Sequence, residues 1–224
     1  ELFSLFRLSR KLFEKLNSTE FTIFVLTNIR SVFIHLAASS VIFILPFYLK
    51  DWRILDYRLA GLALALYPFG IAAAASQSKR LFANFQSRHI GNWGMCILLV
   101  GLWPINFWNA DTAVAIICTN LFIVGCGTGL FHISLNHYIT GLYGPNHRGT
   151  AGALIEFTRT VGILSAALIL IPAFAYLVAT SDSTNEATQF FNALTLSFKI
   201  ISTVPLTLLL LAGVRAYFLP DYGR

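Results

Sequence analysis

The chain has 224 residues, 56% of them hydrophobic and 12% charged, with sixteen Lys and Arg set against ten Asp and Glu for a net charge of +6. So apolar a composition excludes an ordinary soluble domain of this length. The basic excess falls mostly in short connections between apolar runs, which argues against a nucleic-acid-binding face.

Residues 1–20, ELFSLFRLSRKLFEKLNSTE, set Leu2, Phe3, Leu5, Phe6, Leu12, Phe13 and Leu16 among Arg7, Arg10, Lys11 and Lys15. This segment reads either as an amphipathic helix lying on a lipid surface or as a plain loop before the first span. Ser18 or Thr19, with Glu20, supplies the start signal of that span. Apolar segments then follow at 21–49, 59–77, 90–108, 111–138, 150–179 and 195–218. A bilayer core of about 30 Å takes about 20 helical residues to cross, so each segment is long enough to span. Uninterrupted runs of this length predict helices rather than barrel strands, because backbone polar groups in lipid must be satisfied within their own segment.

Lys79, Arg80, Arg88, Arg148, Arg215 and Arg224 fall on the same side as the basic N-terminal segment, whereas Lys50, Arg53 and Arg58 sit opposite among Asp51, Asp56, Asp111, Asp182 and Glu186. Positive connections stay cytoplasmic, which predicts an integral multi-pass protein with both termini inside. Residues 21–218 form one transmembrane domain of six helices, and 219–224 a short cytoplasmic tail. Pro46, Pro68, Pro104, Pro172 and Pro205 lie in or near spans, where neighbouring groups can satisfy the carbonyls they leave free. Six spans with both ends inside also suit two three-helix units of opposite orientation.

Ionisable groups at membrane depth are expensive and are functional candidates by default. Arg30 lies about 13 Å into the first span, and Glu156 and Arg159 lie about 9 and 13 Å into the fifth, at 1.5 Å per residue. Glu156 and Arg159 share a helix face and read first as a structural ion pair, with Arg30 in reach if the first and fifth spans are neighbours. On that reading, removing Glu156 strands buried cations and costs about 3–5 kcal/mol. A proton-coupling role would also rest on Glu156, the carboxylate found within a span. His35 shares a face with Ser31 and Ser39, and His132 with Asn136; packing and cavity lining both stay open for these histidines. Lys199, near the end of the last span, can snorkel and takes no role.

The most distinctive stretch is FIVGCGTGLFHISLNHYITGLYGPNHRGTAGALIEFTRTVGILSAALIL, residues 122–170. Gly125, Gly127, Gly129, Gly152, Gly162 and Ala166 suit close approach of helix backbones. Pro145 and Gly149 suit a tight turn that Arg148 would hold in the cytoplasm. With LPFYL at 45–49, AGLAL at 60–64 and YPFG at 67–70, this order resembles the second half of the fourteen-span drug:proton antiporters of the major facilitator superfamily. The resemblance implies an all-α half-transporter of two inverted three-helix repeats. It also departs from the family: in KRLFANFQSR, residues 79–88, Lys79, Arg80, Leu81 and Arg88 remain, but Ala83 stands at the family's acidic position and Gln86 at a glycine.

No nucleophile triad, phosphate-cradling loop or metal-ligand spacing emerges, so neither an enzyme nor a cofactor is expected. Beyond the bilayer, the expected partner is a second six-helix half or a larger membrane assembly. Transport of a small molecule is one reading, and a non-transporting scaffold subunit is the alternative.

Overall fold

The computed structural model describes residues 18–47, 49, 57–108, 112–142 and 148–180, and every regular element among them is helical. In chain order these are α1 (Ser18–Phe47), α2 (Tyr57–Ser76), α3 (Ser78–Asn84), α4 (Ser87–Leu102), a 3-10 turn (Trp103–Phe107), α5 (Val114–Leu142) and α6 (Arg148–Thr180). Five stretches are long and apolar enough to cross a membrane: Val25–Phe43, Arg58–Ser76, Ser87–Phe107, Val114–Gly141 and Arg148–Ile169. The chain is thus a helical, multi-pass membrane protein. The expected amphipathic N-terminal segment up to residue 17, Pro145, the span at 195–218 with Lys199, and the tail at 219–224 lie outside the described residues.

Three local features differ from expectation. The connection at 79–88 contains α3, a short helix in which the Asn84 side-chain amide donates to the Arg80 carbonyl at 2.9 Å. With no glycine or proline between Ser78 and Asn84, nothing there interrupts helical turns, and the chain becomes extended only at Phe85 (φ −135°, ψ 148°). The third span tightens into the 3-10 turn at Trp103, where Pro104 lacks the N–H that an α-helical bond would need. Gly149 belongs to the first turn of α6 rather than to a turn before it, and a Cβ there would meet nothing within 4 Å.

α5 is the centre of the bundle, packed by α2 on one side and α4 on the other. Its glycines explain how one helix serves two neighbours. Gly125 and Gly129, one turn apart, share a face, and Gly127 points roughly 200° away from Gly125. Gly125 lies against the Tyr67 carbonyl and Gly70 of α2, and Gly129 against Ile71 and Ala74. On the other face, a Cβ on Gly94 of α4 would come 2.6 Å from the Phe131 nitrogen and 2.8 Å from the Gly127 carbonyl oxygen, so these backbones touch directly. Without a hydrophobic drive between helices in lipid, this close contact is what dispersion and packing can use. Ile90, Met95, Leu98, Leu102, Ile117, Leu121, Val124, Phe131 and Leu135 fill the remainder of this interface.

α1 pairs with α6. A Cβ on Gly162 would fall 2.5 Å from the Val32 carbonyl oxygen and 2.9 Å from the His35 Cβ. Buried Leu36 and Ala166 make a small apolar cluster of their own beside this contact. The α1–α6 pair meets the α2–α4–α5 group mainly through α5. Leu62, Phe69, Val100, Leu164 and Leu168 point outward, as lipid-facing side chains do.

Candidate functional site: a polar cluster at the seam

Four of the intramembrane candidates converge where α1, α5 and α6 meet. His35 of α1 is 4% exposed, and its Nδ1 lies 2.8 Å from the Ser31 carbonyl oxygen. A carbonyl can only accept, so this contact is a hydrogen bond with the proton on Nδ1. The His35 and His132 rings meet edge to face with centroids 5.9 Å apart, and Phe131 packs on His35 at 6.5 Å. His132 Nε2 is 3.7 Å from Glu156 Oε1, and Arg159 Nη1 donates to Glu156 Oε2 at 3.1 Å. One carboxylate is therefore shared between a guanidinium on its own helix and an imidazole on the next.

The cluster grades from closed to open. The His132 side chain is 24% exposed, whereas those of Glu156 and Arg159 are 55% and 44% exposed. Glu156 stands eight residues into α6, about 12 Å from its start, well inside the depth of a hydrocarbon core. A charged pair is costly against lipid tails at that depth, which makes this side of α6 a functional candidate. The open face also corrects the expectation that Glu156 lies between buried cations: its removal strands an exposed arginine, which costs much less.

Arg30 is not part of the cluster. Its Nη2 donates to Asn92 Oδ1 at 2.8 Å and approaches Met95 Sδ at 3.1 Å, both on α4. The reason is azimuth. Arg30 and His35 are five residues apart, about 140° around α1, so the face that brings His35 to α5 and α6 turns Arg30 toward α4. Equal depth alone could not separate these two outcomes. Asn92 and Met95 were not singled out from the sequence; the signal for Asn92 was an amide within a span, one turn beyond Arg88. Tyr67 of α2, hydrogen-bonded to Thr128 of α5, also lies within the field of Arg159.

At the basic end, Lys79, Arg80, Ala83 and Gln86 are exposed, while Leu81 and Arg88 are half-buried. Phe82 stacks on the His137 ring of α5 at 4.1 Å and 10°, and Ser87 Oγ lies 2.7 Å from His137 Nδ1. Ser134 Oγ also donates to the Ser87 carbonyl. Among the described residues no group of three or more His, Cys, Asp or Glu is disposed to hold a metal ion.

No protein-family model matches this sequence. Over 145 residues the chain is 26% identical to the riboflavin transporter RibZ of Clostridioides difficile strain 630, a match covering 65% of this chain and 31% of that protein. The matched part thus spans about a third of the relative's length. The chain is a multi-pass helical membrane protein with a distant likeness to a transporter of a small molecule.

Proposed function

We propose that this chain is a six-helix half of a major facilitator-type transporter, completed by a second half, that moves a small organic molecule in exchange for protons. The observation that carries this reading is the Glu156–Arg159–His132–His35 cluster, a titratable group open at membrane depth and continued inward by two imidazoles. Protonating Glu156 removes the charge that holds Arg159 on its own helix and the contact to His132 across α5 and α6, so both weaken together. That couples a proton to the packing of a seam, which is what exchange transport needs. The exposed face of the pair calls for cover, and a second helical half supplies it. The likeness to a riboflavin transporter, with aromatic rings around His35, favours a planar heteroaromatic cargo.

Vesicles from membranes holding the protein should take up labelled riboflavin under an imposed proton gradient. Glu156→Gln should abolish the response to the gradient while leaving flavin binding within a few-fold. A gradient response in Glu156→Gln equal to the parent's would sink the coupling role. Flavin flux by the isolated chain in liposomes would sink the need for a second half. The alternative, a scaffold subunit of a larger membrane assembly, draws on Ala83 and Gln86. It predicts no flux in any setting and recovery within that assembly after mild extraction.

A further inference from the structure

At the basic end of the bundle, away from the Glu156 cluster, Arg30 carries a charge that its neighbours do not neutralise. Its hydrogen-bond partners are an amide oxygen, Asn92 Oδ1 at 2.8 Å, and a thioether, Met95 Sδ at 3.1 Å, which is a weak acceptor. Its Nε is buried with no hydrogen-bond partner, and among the described residues no carboxylate pairs with it. Arg88 stands one turn before Asn92 on the same face of α4, and its positive charge bears on Arg30. Asn92, to which Arg30 donates, lies five residues past Ser87, about 8 Å inside the Ser87–Phe107 span, and Arg88 is the second residue of that span. An arginine side chain at that depth can reach the level of lipid headgroups.

We propose that Arg30, Arg88 and Asn92 form a binding site for a phosphate-type oxyanion where α1 meets α4. Planar guanidinium forks match the oxygens of a phosphate two at a time, and the anion supplies the charge that Asn92 and Met95 lack. Basic pockets between membrane helices take phosphorylated lipid headgroups, and exposed Lys79 and Arg80 raise the local potential for any such anion. Both a lipid phosphate and inorganic phosphate have the required chemistry.

The test is thermal unfolding of the whole chain in a neutral sugar detergent, with phosphatidylglycerol, diacylglycerol or inorganic phosphate added. Phosphatidylglycerol should raise the Tm by about 3 °C or more, and diacylglycerol, which lacks the phosphate, should not. A comparable rise with inorganic phosphate identifies a soluble anion as sufficient, and no rise with it identifies the lipid as the source. In either case Arg30→Gln should lose the rise. Should Arg30→Gln fail to fold, Arg88→Gln at the edge of the site carries the same comparison, with at least half of the rise lost. No rise in the parent with either phosphate source, or the same rise in parent and variants, overturns the site and leaves the Arg30 charge to water or to a partner's carboxylate.

Discussion

The α2–α4–α5 group and the α1–α6 pair solve the problem of holding helices together in different ways. In the first, glycines on two faces of α5 let backbones touch, and the contact needs no charge. In the second, Gly162 seats α1 on α6, and the pair's link to the rest adds polar contacts, His35 to His132, Glu156 to His132 and Arg30 to Asn92, to the apolar packing of Ile34, Ala37, Val41 and Ile155. Backbone contact has one good geometry and resists change. Side-chain contacts between titratable groups depend on protonation and can be exchanged. The exchangeable contacts thus gather at the seam, on a face of α5 beside its backbone contacts.

The largest effect should come from breaking the backbone-locked group. Gly127→Val would press a side chain into the Leu98 backbone and should destabilise by about 3 kcal/mol. That corresponds to a Tm drop of about 6–12 °C in detergent for a chain of this size. Asn92→Ala removes a hydrogen bond from a charged donor in a half-buried place and should cost about 1.5–3 kcal/mol. A Tm within 1 °C of the parent would show that Arg30 finds another acceptor. Glu156→Gln, on the open side of the cluster, should cost at most about 1 kcal/mol, and under the proposed coupling role it should still abolish the response to a proton gradient. A larger loss of stability than Asn92→Ala would reverse the division drawn here. Gly149→Ala, in open space in the first turn of α6, should change stability by less than about 0.5 kcal/mol.

Spans were the most legible part, because a long apolar run has few alternatives to a membrane helix. Five of the expected segments coincide with helices to within a few residues, with the 3-10 end at Pro104 and the helical 78–84 segment as the differences. The Glu156–Arg159 contact was legible too, since a spacing of three puts both on one face whatever lies nearby. Arg30 was not. Its depth could be counted along the chain, but its partner depended on which helix occupies each side of α1, and no single-sequence pattern specifies that. The meeting of His35 with His132 and the stacking of Phe82 on His137 were hidden for the same reason. Each lies on its own helix at a position that also suits plain packing.

The two-faced α5 has a consequence for biogenesis. α2 and α4 leave the ribosome before α5, the helix that both of them clasp in the finished fold. His137 arrives with it, so Phe82 gains its stacking partner only then. A released chain truncated before residue 114 and inserted in membranes should therefore be cut by protease within 78–86 faster than the finished protein, and equal rates would mean that this connection is organised without α5.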